Sequence, residues 1–179
     1  MIRKLTLATA IAILAALPLP MWNATRNLVT RPSLPAVVWI AIVVAYLCAA
    51  ILPLFYFAMW RVGGDIVVPR RLRRLCLIGA LCGVIVIGTQ IPVTTVATLL
   101  SMLATLSCAA LLIAMFRQSR EIGHTSAYLR RMSRVAVIGG GLWLAINVLA
   151  LIRDPNPGRV RTLLEQACFF TPPLVAGFR

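Results

Sequence analysis

If this chain carries out any reaction, Glu165 is where it would start. The acids number four, Asp65, Glu121, Asp154 and Glu165. Three of them fall in polar connecting stretches, whereas Glu165 sits in the apolar run "TLLEQACFFTPPLVAGF", with Gln166 beside it and Arg161 one helical turn earlier. A carboxyl group drawn into hydrocarbon marks an ion path, a proton path or a catalytic group. At the start of an interfacial helix the same group needs only the helix dipole to explain it. The single histidine, His124, lies near Glu121 in a basic stretch. One histidine leaves a zinc or a two-faced haem site without a second nitrogen ligand. The five cysteines, Cys48, Cys76, Cys82, Cys108 and Cys168, form no C-x-x-C pair and read as small hydrophobes. Serine-nucleophile patterns, paired carboxylates and phosphate loops are absent. No metal, cofactor or catalytic set is expected.

Hydroxyls are the other polar feature. Thr94, Thr98, Ser101 and Thr105 follow one another at spacings of four, three and four, which puts them on one face of a helix. Such a face either packs on a neighbour through interhelical hydrogen bonds or lines a wet path. Asn147, in a later apolar run, is a candidate partner.

These residues must be held by helices in a membrane. Of 179 residues, 61% are hydrophobic and 12% charged, against about 25% charged in soluble domains. A span needs about 20 apolar residues. The runs place spans at about 5–21, 36–60, 75–90, 93–116 and 135–152, with 162–178 a further span, a re-entrant segment or an interfacial helix. The first run also has the layout of a signal peptide, but without an A-x-A site it reads as an uncleaved span. Pro53 is expected to kink the second span, and Tyr56 and Trp60 to anchor its end at the head groups. Residues 75–116 carry no charge and would run about 63 Å as one helix, so the chain must turn, at "GTQIP" (88–92), with Thr89 and Gln90 reaching water or head groups. Gly139–Gly141 either admits a neighbouring helix or weakens its own. Asn23-Ala24-Thr25 matches a glycosylation sequon that reads as chance. The expected fold is all-α, a single membrane domain over 1–179 of five spans plus a membrane-associated C-terminal segment.

Basic residues orient it. There are 18 Lys plus Arg, for a net charge of +14, and they crowd the edges of apolar runs, where anionic lipid rather than nucleic acid is the nearer partner. Twelve fall on the side of the N-terminus, in 1–4, 61–74 and 117–134, and five on the other, with Arg179 following wherever the tail lies, which makes the N-terminus cytoplasmic. Arg70, Arg71, Arg73 and Arg74, then Arg130, Arg131 and Arg134, are the candidate contacts to anionic lipid or an acidic partner. An arginine at mid-bilayer costs about 3 kcal/mol on insertion scales, so the first cluster should fix a helix start near Leu75; a topological role, with the arginines solvated by head groups, is the plainer reading of it and specific binding the sharper one. The two basic loops also share a pattern: Met59-Trp60-Arg61, Asp65-Ile66 and Leu72-Arg73-Arg74 align with Met115-Phe116-Arg117, Glu121-Ile122 and Leu129-Arg130-Arg131. This suggests two parallel helical hairpins, either duplicated or convergent. Arg61 and Asp65, like Arg117 and Glu121, have the spacing of a one-turn ion pair.

Gly64, Asp65, Leu72, Arg73 and Arg74 resemble a loop of small uncharacterised bacterial inner membrane proteins of about four spans. There it reads Gly-Asp-Pro-Phe, then Glu-Asn, then Leu-Arg-Arg before an apolar helix; this chain lacks the Pro-Phe and Glu-Asn elements and has an added span. The resemblance implies a bacterial inner membrane protein and no known chemistry. The expected role is a non-enzymatic accessory, regulatory or sensory membrane subunit, open to homo-oligomer formation. A channel or carrier lined by the threonine face is the first rival. An enzyme using Glu165, His124 and an arginine is the second.

Overall fold

A computed structural model describes residues 1–17, 36–62, 67–91, 94–118 and 125–177, and within 36–49 only some of the side chains. The sequon, the turn proline Pro92, Asp65, Glu121, His124 and the two loop ion pairs, and the side chains of Trp39 and Cys48, lie outside the described residues. The described residues form six α-helices and no strand: α1 (Ile2–Ala16), α2 (Ala36–Arg61), α3 (Arg70–Thr89), α4 (Val96–Arg117), α5 (Ala127–Arg153) and α6 (Pro157–Gly177). Three of them, α3, α4 and α5, are long and apolar enough to cross a membrane.

The helix starts follow capping chemistry rather than the edges of the apolar runs. Thr95 accepts the Thr98 N–H at 3.1 Å and Ser126 accepts the Leu129 N–H at 3.2 Å, so α4 begins at Val96 rather than 93, and α5 begins at Ala127 rather than 135. Pro69, with φ −60° and ψ 144°, precedes α3. Arg70, Arg71, Arg73 and Arg74 therefore lie within the first turns of α3, not ahead of a helix starting at Leu75. The arginines can delimit a lipid-facing surface without ending a helix, because a guanidinium is compatible with helical backbone wherever its side chain finds water.

The six helices close a ring in which α1 packs on α2 and α4, α5 on α2 and α6, and α3 on α4 and α6. Helices joined by the two similar loops, α2 with α3 and α4 with α5, are not ring neighbours. The expected side-by-side hairpins are thus replaced by connections that cross the ring. Arg3 over the Trp60 ring (5.7 Å), Arg73 Nε donating to the Phe116 carbonyl (3.0 Å) and Ser133 Oγ donating to the Pro173 carbonyl gather the start of α1, the ends of α2 and α4, and the starts of α3 and α5 at one end. Arg3, Arg61, Arg70–Arg74, Arg117 and Arg130–Arg134 share that end. Arg153, Arg159 and Arg161 lie at the other.

The C-terminal segment turns out to be the hub: α6 touches α2, α3, α4 and α5. It fits because α3 carries a small-xxx-small pair. A Cβ on Gly79 would meet Thr171 Oγ1 at 2.6 Å, and one on Gly83 would meet Cys168 Sγ at 2.9 Å, the close approach that glycine permits between helices. On the opposite flank a Cβ on Gly140 would collide with the Phe170 ring. The glycine run of α5 thus admits an aromatic ring from a neighbour.

Pro172 and Pro173 do not interrupt α6. Having no N–H, they leave the carbonyls four residues back, at Cys168 and Phe169, without their helical donors. Cys108 Sγ donates to the first at 3.4 Å and Tyr56 Oη to the second at 2.8 Å. Tyr56 is fully buried rather than at an interface, because its hydroxyl is needed there. Tyr56→Phe should lower unfolding stability of the purified protein by about 1–2 kcal/mol. Pro173→Ala, which returns an N–H to the Phe169 carbonyl, should recover most of that loss in the double variant; a strictly additive thermal-melt cycle would contradict the assignment.

Candidate functional site: a polar-ended cavity around Glu165

Glu165 lies two turns into α6, on the side turned towards α4. Its Oε1 accepts the Ser101 hydroxyl at 2.5 Å and stands 3.5 Å from Thr105 Oγ1, which itself donates to the Ser101 carbonyl at 2.8 Å. Ser101 Oγ in turn accepts from Gln90 Nε2 at 3.0 Å. One hydroxyl therefore links the cap residue of α3, the second turn of α4 and the acid of α6. Gln90 is 4% exposed, so it does not reach solvent as its place in a turn suggested; the ring closes over it.

Beside this link the bundle forms a cavity of about 310 Å³, open on one side. Its apolar wall comes from Ile13, Ala16 and Leu17 of α1, Leu52 of α2, Ala97 and Ala104 of α4, Trp143 of α5 and Phe169 of α6. Its polar lining is Gln90, Thr98, Ser101, Arg161, Thr162, Glu165 and Gln166. Arg161 is exposed and stands at the rim. Trp143 is held edge-on by Phe170, with ring centres 6.0 Å apart at 85°.

Two carboxamides in this lining carry atoms without partners. Gln166 is 2% exposed, and neither its Nε2 nor its Oε1 has a hydrogen-bond partner; Gln90 Oε1 has none either. A buried amide without partners costs on the order of 1–3 kcal/mol per group, and native proteins satisfy nearly all such groups. Facing a cavity, they are where a bound molecule would find both a donor and acceptors.

Of the hydroxyl face, Thr98 and Ser101 line the cavity, Thr105 is fully buried beneath Glu165, and Thr94 is exposed ahead of α4. Asn147 Nδ2 donates to the Trp143 carbonyl of its own helix at 2.9 Å, so it is not the partner of that face. The arginine candidates gather at the opposite end of the bundle: Arg70, Arg71, Arg74, Arg131 and Arg134 are exposed and Arg130 is half-buried. Arg73 is half-buried, its guanidinium 4.2 Å from the centre of the Phe116 ring. Among the described residues no three His, Cys, Asp or Glu side chains come together in a way that could hold a metal ion. Asp154, the other described acid, pairs with Arg159 at 3.0 Å on the surface, so Glu165 has no second acid in the cavity with which to share proton transfer.

Sequence reading names Gln166 only as a neighbour of Glu165 and Gln90 only as a turn residue, and it does not single out the apolar lining, Trp143 and Leu52 among it. Gly79-x-x-x-Gly83, which draws α6 inward, is the readable signal that could have found the α6 pair. No family model matches the chain, and no curated protein or solved structure does so either.

Ser101 is the joint of this site. Ser101→Ala removes the donor to Glu165 and the acceptor for Gln90 together, and should lower stability by about 1–3 kcal/mol. Thr98→Ala, whose hydroxyl meets only the exposed Thr95 side chain at 2.8 Å, should change the melt much less. Equal losses from the two would show that the link through Ser101 carries no particular weight.

Proposed function

We propose that this chain is a multi-pass membrane protein whose bundle binds a small molecule carrying both polar and apolar groups, as the sensory subunit of a membrane assembly. The cavity bordered by Gln166, whose amide has no partner, and by the free Oε1 of Gln90 carries this reading. Pockets of this kind, mostly apolar with a few convergent polar groups, are the usual form of small-molecule sites.

Membrane insertion is supported by the direction of the apolar side chains. Ile138 and Leu149 are each 66% exposed and Leu47 is 61% exposed, while Ile78, Leu81, Val84 and Ile85 form an outward apolar face on α3. In water such contiguous faces would be an aggregation surface; in hydrocarbon they are solvated. The crowding of arginines at the N-terminal end supports a cytoplasmic N-terminus, and the loop resemblance a bacterial inner membrane. There the arginines meet anionic head groups, each gaining roughly 1 kcal/mol.

Sensing rather than conduction is supported by what lies below the cavity. Phe55, Tyr56, Met59, Leu111, Leu112 and Met115 are fully buried, an apolar plug across the half of the bundle nearer the arginines. A carrier that moves the same ligand is a second reading, favoured by Thr98 and Ser101 facing the cavity.

The protein should stay with membranes after alkaline carbonate extraction. Single cysteines at positions 71 and 131, in a background without native cysteines, should be labelled from the same face of the membrane and one at 153 from the other. In a thermal-shift screen of small molecules on purified protein, a saturating ligand at about a hundredfold its Kd should stabilise by about 2.7 kcal/mol, a shift of roughly 5–10 °C. Ala97→Trp, which fills the cavity, should abolish the shift. Ligand uptake by proteoliposomes would replace sensing with carriage, and loss of the chain to the carbonate supernatant would end the membrane reading.

A further inference from the structure

The charges that border the cavity narrow its occupant. Glu165 is bonded by hydroxyls, which carry no charge, and Arg161 lies four residues before it, about 6 Å along the helix axis. Among the described residues the ion pair at this end of the bundle is Arg159 with Asp154, and it does not include either of these residues. Arg161 and Glu165 thus border one cavity as a cation and an anion one helical turn apart, each within the other's field but not joined in an ion pair among the described residues, the cation at the rim next to the positive end of α6 and the anion deeper.

Resting on the reading of the cavity as a ligand site, we infer that its occupant is a small zwitterion with an apolar side chain, the chemistry of an apolar α-amino acid. Its ammonium group meets Glu165 and Gln90 Oε1, two acceptors on one side of the cavity, and its carboxylate meets Arg161 at the rim. The side chain lies against Ile13, Leu52 and Phe169. A molecule carrying only the positive charge would face Glu165 well but be opposed by Arg161 and the α6 dipole. One carrying only the negative charge would face Arg161 well but be opposed by Glu165. A neutral ligand with separated charges avoids bringing an unpaired charge into an apolar enclosure, where the desolvation cost is high.

The test is direct binding to the full-length protein in lipid nanodiscs, using three matched sets of probes. L-leucine and L-phenylalanine are compared with the amines that lack their carboxylate, 3-methylbutylamine and 2-phenylethylamine, and with the acids that lack their amino group, 4-methylpentanoate and 3-phenylpropanoate. The amino acids should bind roughly ten- to a hundredfold more tightly than either analogue set, the factor expected for one hydrogen-bonded charge. Glu165→Gln should shrink the gap between amino acid and acid, and Arg161→Gln the gap between amino acid and amine. Amines that bind as well as the amino acids, or acids that do so, overturn the zwitterion. If no probe binds while other small molecules still shift a melt sensitive to Ala97→Trp, the zwitterion fails and the ligand site stands. If nothing shifts that melt, both fail.

Discussion

Two adjacent prolines in the last helix set a demand that the rest of the bundle meets. A helix away from water has to pair every backbone carbonyl within the protein, and Pro172 and Pro173 withdraw the donors that would have closed on Cys168 and Phe169. Only a partner arriving from another helix can replace them. The thiol of Cys108 on α4 and the phenol of Tyr56 on α2 do so, and they also touch each other at 3.2 Å. α6 is thereby tied at one level to two helices, and through Gly79 and Gly83 it lies close against a third. These contacts hold the C-terminal segment inside the ring.

The site follows from that placement. Glu165 and Gln166 come one turn before the proline-freed carbonyls on the same helix, so the interactions that anchor Cys168 and Phe169 also hold the acid and the amide inside the bundle. Ser101 on α4 stands two turns before Cys108, and each meets α6 in turn: Ser101 at Glu165, Cys108 at Cys168. The two contacts keep α4 and α6 in register, one at the cavity and one just below it. A change at the lower contact should therefore be felt at the upper one, since packed helices shift as units rather than deforming locally.

Much of this was legible in the residues and some of it was not. The helical class and most helix positions follow from apolar runs, but the starts of α4 and α5, set by the capping hydroxyls of Thr95 and Ser126, do not follow from the edges of those runs. The shared face of Thr98, Ser101 and Thr105 is visible in their spacing. What the sequence hides is the neighbour each face meets. Tyr56 reads as an interfacial aromatic because its run ends at Trp60 and Arg61; that its hydroxyl serves a carbonyl 113 residues away depends on the packing of α2 near α6. Gln90 reads as a solvated turn residue for the same reason. The last run, with its two prolines, stays open between a span, a re-entrant segment and an interfacial helix because the donors that compensate for the prolines lie on other helices, and no local pattern records them.

The division of charge between the two ends of the bundle completes the argument. Arginines that border hydrocarbon need water or head groups within reach of their long stems, and the end holding most of them has its interior filled by Met59, Leu111, Leu112 and Met115. A polar cavity beneath that end would place a ligand in a strongly positive field and favour anions regardless of its lining. At the opposite end, among the described residues, Arg153, Arg159 and Arg161 stand with Asp154 and Glu165, and the field is weaker. The arginine cluster and the cavity are thus kept apart along the bundle, and the surroundings of the cavity depend on the positions of one carboxylate, one guanidinium and two amides rather than on total charge.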